Sequence, residues 1–127
     1  MIHDSGTRRQ FDTGAVRDAA GNKGRFDLLP FYGMQRLAQH FEGGARKYDP
    51  WNWHKGIPQW AYIDSGIRHA MKYSNGLRDE DHAAAAAWNF VCAMDQEERY
   101  RLGELPGTLF EGLIWTPEGP SNQQETK

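Results

Sequence analysis

The sequence has little cysteine, no long apolar run and no excess of basic residues. Its one cysteine, Cys92, has no partner within the chain for a disulfide, which favours a reducing compartment. No apolar run approaches the roughly 20 residues of a membrane span, and segment 1–12 lacks the apolar centre of a signal peptide. We therefore expect a cytoplasmic protein that has no membrane partner.

The charge balance also excludes a class of partners. Fifteen basic residues face 17 acidic ones, which leaves a formal net charge of −2. Proteins that bind extended nucleic acid or anionic membranes through charge need a basic excess. Only a local basic patch remains compatible with this composition, so we expect no extended nucleic-acid binding.

Aromatic residues, in contrast, are abundant. The 127 residues, a length that fits one domain, include five Trp, five Tyr and six Phe. Large rings bury much apolar area per residue, so a small domain reaches adequate stability with few of them. The composition therefore predicts a globular core built largely on aromatic side chains.

Pro30 marks the start of the first predicted helix, because the first turn does not use the N–H that proline lacks. Apolar residues then recur at three- and four-residue steps, at Phe31, Met34, Ala38, Phe41 and Ala45. The pair Gly43 and Gly44 predicts the end or loosening of this helix. Segment 46–58 has two prolines and no periodicity, which predicts an ordered, aromatic-rich loop.

Two further helices are predicted. The second covers about 59–75, where one face is apolar and Gly76 provides a C-terminal stop. The third covers about 80–102, with Asp79 as its N-cap and a run of five alanines, 83–87, of the highest helix propensity. We also expect Leu113, Ile114 and Trp115 to pack a short C-terminal segment onto the bundle.

These segments together predict an all-α fold. A small helical bundle over 26–117 would follow an extended polar arm over 1–25 and precede a flexible tail over 118–127. Three helices of this length form a thin core. We therefore expect an exposed apolar face that is covered in a homodimer or larger homo-oligomer.

Candidate ligand-binding residues are concentrated in the predicted loop. Cations, an amide and flat rings occur together at Lys47, Tyr48, Asn52, Trp53 and Lys55. Lysine binds phosphate as a point charge, asparagine can bind a base edge, and aromatic rings can stack on a base. The loop therefore favours an anionic ligand that carries a ring. The alternative is a surface loop held by buried tryptophans and solvated by its lysines.

Two charged clusters lie on the predicted second and third helices. Asp64 and Arg68 are one turn apart beside His69, and a plain ion pair on the helix surface is the alternative interpretation. The third helix begins with Asp79, Glu80, Asp81 and His82 and carries Asn89 two turns later. Acidic residues offset the positive end of a helix, but a histidine is not favoured there. Neutral histidine beside carboxylates is a common set of metal ligands, and oxygen-rich ligands suit Mg²⁺ or Mn²⁺.

Three segments together resemble a phage and prophage family, the dATP/dGTP diphosphohydrolase (N-terminal) domain. They are FDTGAVRDAAGNKGRFDLLP, GGARKYDPWNWHKGIP and DSGIRHAMKYSNGLRDEDHAAAAAWN, within residues 11–98. The resemblance implies a role in the nucleotide pool, namely hydrolysis of a deoxypurine triphosphate to monophosphate and pyrophosphate. It also implies distant kinship with all-α, MazG-like enzymes, which hold Mg²⁺ with carboxylates on facing helices.

The resemblance and the clusters together predict roles for the candidate residues. Asp64, Asp81 and His82 would hold Mg²⁺ or Mn²⁺. The remaining residues divide into two groups, the catalytic Arg68, His69 and Asn89 and the substrate-binding Lys47, Tyr48, Asn52, Trp53 and Lys55.

One departure from the MazG-like pattern keeps two alternatives open. The paired ExxE and ExxD motifs are not found, and Asp95-x-x-Glu98 stands alone. A nucleotide-binding or sequestering module without catalysis is therefore one alternative. The other is a structural phage protein, favoured by the aromatic surface and the polar arm.

Overall fold

The computed structural model describes residues 4–19 and 21–120. It divides the chain into two compact units, Met1–Pro30 and Phe31–Lys127. The bounds predicted for the arm (1–25), the bundle (26–117) and the tail (118–127) remain predictions. Residues 121–127 of the predicted tail lie outside the described part. Within the described residues, no helix is long and apolar enough to cross a membrane.

The first unit contains a short antiparallel hairpin. Strand β1 (Arg8–Gln10) pairs with β2 (Val16–Asp18), with Arg9 opposite Arg17. Gly14, at φ 89°, closes the turn in a conformation that residues with a side chain rarely adopt. The prediction of a mostly helical protein is confirmed, but the strictly all-α description is wrong. Sequence periodicity missed these strands because each has only three residues.

The second unit begins with α1 (Phe31–Lys47), which is longer than predicted. It passes through Gly43 and Gly44, and the backbone N–H of Tyr48 still donates to the carbonyl of Gly44 at 2.9 Å. The prediction that the glycine pair stops this helix is wrong, because glycine weakens a helix interior without breaking it. The helix ends just before Asp49–Pro50, since a residue that precedes proline disfavours helical geometry.

Helix α2 (Gln59–Ser74) lies close to its predicted limits. Gly76 follows it at φ 83°, and the next backbone N–H, from Leu77, donates to the carbonyl of Lys72 at 3.1 Å. This bond satisfies a free carbonyl of the last turn, as expected for a glycine stop.

Helix α3 (His82–Arg101) begins two residues later than predicted. Its N-cap is Asp81, whose side chain accepts a hydrogen bond from the backbone N–H of Ala84 at 3.1 Å. Asp79 is therefore not the cap, and it is free to bond to the side chain of His82 instead.

The core of the second unit lies where α3 packs on α2 and α1. Tyr62, Cys92 and Ala93 are buried at its centre, and four partly buried residues surround them, Phe41, Trp53, Ile57 and Trp88. Burial raises the pKa of the Cys92 thiol to about 12, which fits a packing role for this residue. The small buried residues of α3 let α2 approach it closely.

The C-terminal segment packs differently from the prediction. Phe110, in a short 3₁₀ helix (Gly107–Phe110), is buried and stacks on Tyr100 with ring centroids 4.7 Å apart. Ile114 and Trp115 are exposed. Phe110 therefore holds this segment on the bundle, because its ring stacks on Tyr100 of α3 and is buried there.

Candidate functional site

A cleft of about 920 Å³ opens between the second half of α1, the loop after it, α2 and the start of α3. All its lining residues belong to the second unit. Ligand sites of small molecules commonly have volumes of roughly 300–1,000 Å³. The cleft is therefore large enough to hold a nucleotide.

The loop wall of the cleft brings together most of the predicted loop cluster. Lys47, Tyr48, Asn52 and Trp53 all line it. The Lys47 Nζ lies 5.3 Å from the centre of the Tyr48 ring, a cation–π contact. A short 3₁₀ helix (Asn52–Lys55) sets the positions of Asn52 and Trp53. Lys55 does not line the cleft itself, but its ammonium pairs at 2.9 Å with Asp49, which does.

Helix α2 contributes Arg68 and His69 to the opposite wall. The Arg68 guanidinium donates to Asp64 at 2.9 Å, one turn earlier, which is the ion pair that spacing alone predicted. Asp64 itself lies outside the cleft, next to Ile67 and Met71. Arg68 lies at the edge of the cleft and also lines the hollow on its outer side, where Asp64 lies one turn earlier on α2.

Asp81 lines the cleft at the start of α3 and is held by an arginine of α1. The Arg36 guanidinium donates two hydrogen bonds to it, at 2.6 and 2.8 Å. These bonds, helped by the backbone N–H of Ala84, lower the pKa of the Asp81 carboxyl to about 2. The carboxylate is therefore ionised but already paired.

Two histidines join α2 to α3 beside the cleft. Nδ1 of His69 and Nδ1 of His82 are 2.9 Å apart, and Nε2 of His82 lies 2.8 Å from the Asp79 carboxylate. His82 is only 1% exposed, whereas His69 is partly buried and lines the cleft. Burial, with Arg68 and Lys72 nearby, lowers the pKa of His69, which favours its neutral ring.

Asn89 lies deeper, in the part of the cleft formed by α3. It is buried, and its amide group donates to the carbonyl of Ala85, one turn earlier, at 2.8 Å. Its donor is satisfied by its own helix, so this residue is held rigidly at the cleft wall.

The predicted site residues thus divide into two groups. Eight of them line one cleft: Lys47, Tyr48, Asn52, Trp53, Arg68, His69, Asp81 and Asn89. Three do not line it: Lys55, Asp64 and His82. His82 still adjoins the cleft through its bond to His69.

Sequence reasoning overlooked several polar residues at the cleft. Arg36 and His40 line it from α1, one turn apart, and Lys47 lies two turns beyond His40. The helical spacing of these three basic residues on α1 is the sequence signal that could have found them, because it places them along one side of the helix. Glu80, which the sequence analysis placed in the acidic cluster without a role, also lines the cleft. The i, i+3 spacing of Asp79 and His82 indicated their contact.

The predicted metal set does not assemble as a group. Asp81 is paired with Arg36, and Asp64 is paired with Arg68 at the outer surface. Within the described residues, potential ligand atoms come together at His69, Glu80 and His82, where all lie within 4.8 Å of one another. This set is richer in nitrogen than the carboxylate set that suits Mg²⁺.

The comparisons with known proteins agree with the sequence motifs. No curated protein and no solved structure matches the chain. A family model described as dATP/dGTP diphosphohydrolase, N-terminal, matches residues 13–104, which include α1, α2, α3 and the whole cleft. The chain therefore belongs to the dATP/dGTP diphosphohydrolase, N-terminal, family.

Proposed function

We propose that the chain hydrolyses a deoxypurine nucleoside triphosphate to its monophosphate and pyrophosphate, in the cleft between α1, α2 and α3. The family name supports nucleotide hydrolysis in general terms. One observation carries the proposal for this chain: cations and aromatic rings from three separate segments meet around one hollow of about 920 Å³. A role in control of a phage nucleotide pool is part of the proposal.

The triphosphate would lie between Lys47 and Arg68. Lys47 is the last residue of α1, and Arg68 lies on the opposite wall. The Asp64 carboxylate holds the guanidinium in place through one nitrogen, Nη1. A positioned guanidinium stabilises the charge that develops on phosphate oxygens as the bond to the leaving group breaks.

The base would lie against the aromatic side of the cleft. Trp53 is partly buried and packs edge-on against Phe41, with centroids 6.0 Å apart, so its ring is held firmly. Tyr48 is exposed beside Lys47. A rigid indole can stack on a purine, and the Asn52 amide can form hydrogen bonds with its edge.

His69 would contact the phosphates or the attacking water. Its Nδ1 is bonded to His82, which leaves Nε2 as the ring atom for such a contact. Water would attack the α-phosphorus, the bond from that phosphorus to the bridging oxygen would break, and pyrophosphate would leave. Asn89, held by Ala85, would help to shape the floor of the cleft.

A divalent cation remains part of the proposed function, because the resemblance implies one. When bound, a cation neutralises phosphate charge and polarises the oxygens. An all-carboxylate Mg²⁺ site does not fit the described residues, since Asp64 and Asp81 each already pair with an arginine. We therefore assign no step of the hydrolysis to Mg²⁺ on those two carboxylates.

The proposal is tested by measuring nucleotide hydrolysis by the purified full chain and by an Arg68 variant. The chain is incubated with each deoxynucleoside triphosphate and Mg²⁺, Mn²⁺ or Co²⁺, and products are separated by chromatography. We expect monophosphate and pyrophosphate from a purine substrate, and a fall of about 100-fold in kcat/KM for Arg68→Ala, as for loss of one transition-state donor. Arg101→Ala, which removes an exposed arginine of α3 that pairs with Glu98 and does not line the cleft, is the matched control and should retain most activity. Folded protein that hydrolyses no nucleotide with any of these ions would reject the proposal.

A second candidate function is binding of a nucleotide without hydrolysis. It is favoured by the pairing of Asp64 and Asp81 with arginines, which leaves few free carboxylates at the cleft. Calorimetry distinguishes the two functions. Tight binding that persists in a chelator, with the nucleotide recovered intact, would support the binding module.

We also propose that the chain forms a homo-oligomer through one apolar face. On α2, Trp60, Ile67 and Met71 are spaced along one side and exposed, and on α3 Met94 is 64% exposed. Trp60 and Met94 line a groove of about 580 Å³. A core with few fully buried large side chains gains stability when a second copy covers such a face.

A further inference from the structure

We infer that His69, Glu80 and His82 form a binding site for an imidazole-preferring divalent transition ion, such as Zn²⁺ or Co²⁺. The sequence had suggested other ligands, Asp64 and Asp81, with His82. The inference goes beyond the proposed hydrolysis, since the ion can be tested on the protein alone.

The distances support a shared ion. Nδ1 of His69 and Nδ1 of His82 are 2.9 Å apart, and the nearer Glu80 oxygen lies 3.9 Å from Nδ1 of His69. Metal–nitrogen bonds of about 2.0–2.1 Å at tetrahedral angles place two neighbouring ligand atoms about 3.3 Å apart, which lies between these two distances. The three groups therefore need only small side-chain adjustments to contact one ion.

The hydrogen bonds prepare His82 for this role. An ionised carboxylate can only accept, so the Nε2 of His82 carries the proton that it shares with Asp79 at 2.8 Å. In a neutral ring, Nδ1 then accepts a hydrogen bond from Nδ1–H of His69, and an ion bound there would take the place of that proton, which moves to Nε2 of His69. Metal-binding histidines commonly have such a carboxylate on the opposite nitrogen, which fixes the tautomer and the ring orientation.

Burial makes the arrangement rigid. The His82 side chain is fully buried at the junction of α2 and α3, whereas Glu80 is largely exposed and can move. A rigid histidine pair with one mobile carboxylate gives three protein ligands, which leaves positions for water or a phosphate oxygen. His69 and Glu80 both line the cleft, so those open positions would face the nucleotide.

The chemistry of the ligand set selects the ion. Imidazole nitrogen favours Zn²⁺, Co²⁺ and related ions, whereas Mg²⁺ needs several oxygen ligands and near-octahedral geometry. We therefore expect Co²⁺ and Zn²⁺ to bind in the absence of nucleotide, with one ion per chain, and Mg²⁺ to bind much more weakly.

The experiment uses the untagged full chain, freed of metal with a chelator and titrated with Co²⁺ alone. Visible absorption reports nitrogen ligation, and calorimetry with Zn²⁺ gives affinity and stoichiometry. We expect His69→Gln and Glu80→Gln to weaken binding at least about tenfold. Asp79→Asn should weaken it by about 10–100-fold, because the carboxylate that fixes the tautomer of His82 is lost. His54→Gln, an exposed histidine outside the group, is the matched control and should bind normally.

Circular dichroism verifies that each variant folds, and Glu80→Gln is the safest one because Glu80 is exposed. The inference is overturned if the folded wild type binds no Co²⁺ or Zn²⁺, or if Glu80→Gln and His69→Gln bind as tightly as the wild type. In that case the histidine pair only links α2 to α3. The titration contains no nucleotide, so the two proposals can fail separately. Ion binding without hydrolysis would reject only the proposed function. Hydrolysis without ion binding would reject only this inference.

Discussion

Gln96 joins the segment before α2 to the middle of α3. It is only 1% exposed, and its side chain forms hydrogen bonds with the backbone N–H and carbonyl of Ile57, at 2.9 and 2.6 Å. It also donates to the Gln59 side chain at 2.9 Å, and Gln59 in turn donates to the carbonyl of Ala93. This network holds the end of the loop that carries Asn52 and Trp53.

We expect Gln96→Leu to lower the free energy of unfolding by about 2–4 kcal/mol. The substitution leaves the partly buried backbone N–H and carbonyl of Ile57 without partners, and each unsatisfied buried group costs about 1–3 kcal/mol. Urea denaturation measures the change, and Glu97→Gln, the next residue along α3, serves as the control. A loss below about 0.5 kcal/mol would show that water or another side chain replaces the network.

The Arg36–Asp81 pair gives a prediction about pH. Arg36 lowers the folded-state pKa of Asp81 from 3.8 to about 2. The pair therefore contributes stability that is fully present above pH 3.8 and is lost as the pH falls toward 2. Both side chains are partly exposed, so the contribution is small.

We expect Arg36→Met to raise the pKa of Asp81 toward 3.8, because the two guanidinium bonds disappear. Carboxyl carbon shifts in NMR, followed through an acid titration, measure this pKa. Asp27, which has its own partner in Arg25, should titrate as before. An unchanged Asp81 pKa would mean that the bond from Ala84 alone controls this carboxylate.

At the scale of the elements, two helical glycines differ in their surroundings. An added Cβ at Gly66 of α2 would lie 2.6 Å from the Phe90 ring of α3, whereas one at Gly43 of α1 would meet nothing within 4 Å. Gly66 therefore sets how closely α2 and α3 approach. Gly43 lines the cleft, so its missing side chain leaves room there.

We expect Gly66→Ala to destabilise the protein by about 1–3 kcal/mol, since Phe90 or the helix must shift. Gly43→Ala should stabilise it by about 0.5–1 kcal/mol, because alanine favours the helix and meets no obstacle. Thermal and urea unfolding of both variants compare them directly. If the two changes had the same sign, the packing of α2 on α3 around Gly66 would be looser than described.

For the whole molecule, the exposed apolar face on α2 and α3 gives a prediction about assembly. We expect sedimentation to show a homo-oligomer for the wild type and at least a tenfold weaker association for Met94→Glu, because a charge would be buried at the interface. Met94 is exposed, so the variant should fold normally. Glu42→Lys, a charge change on the exposed part of α1, is the control. A monomeric wild type would contradict the proposed oligomer.

Local sequence patterns were sufficient to predict much of the helical structure. The apolar stripe of α1, the limits of α2 and the glycine stop at Gly76 follow from helix period and backbone preference, which act over a few residues. The predicted N-cap of α3 was wrong by two residues, because four polar residues in succession, 79–82, offer several possible caps. The hairpin and the end of α1 were also missed, since a three-residue strand and a tolerated glycine pair carry little local signal.

The sequence by itself determined a helical protein with a single cysteine, the family motifs, and the residue types that meet at the cleft. Only the tertiary structure decided which charges are already paired. Arg36 lies 45 positions before Asp81, and their contact depends on how α1 crosses the start of α3. The same packing placed His69 beside His82 and left Asp64 outside, because helix packing, and not sequence spacing, sets distances between side chains on different helices.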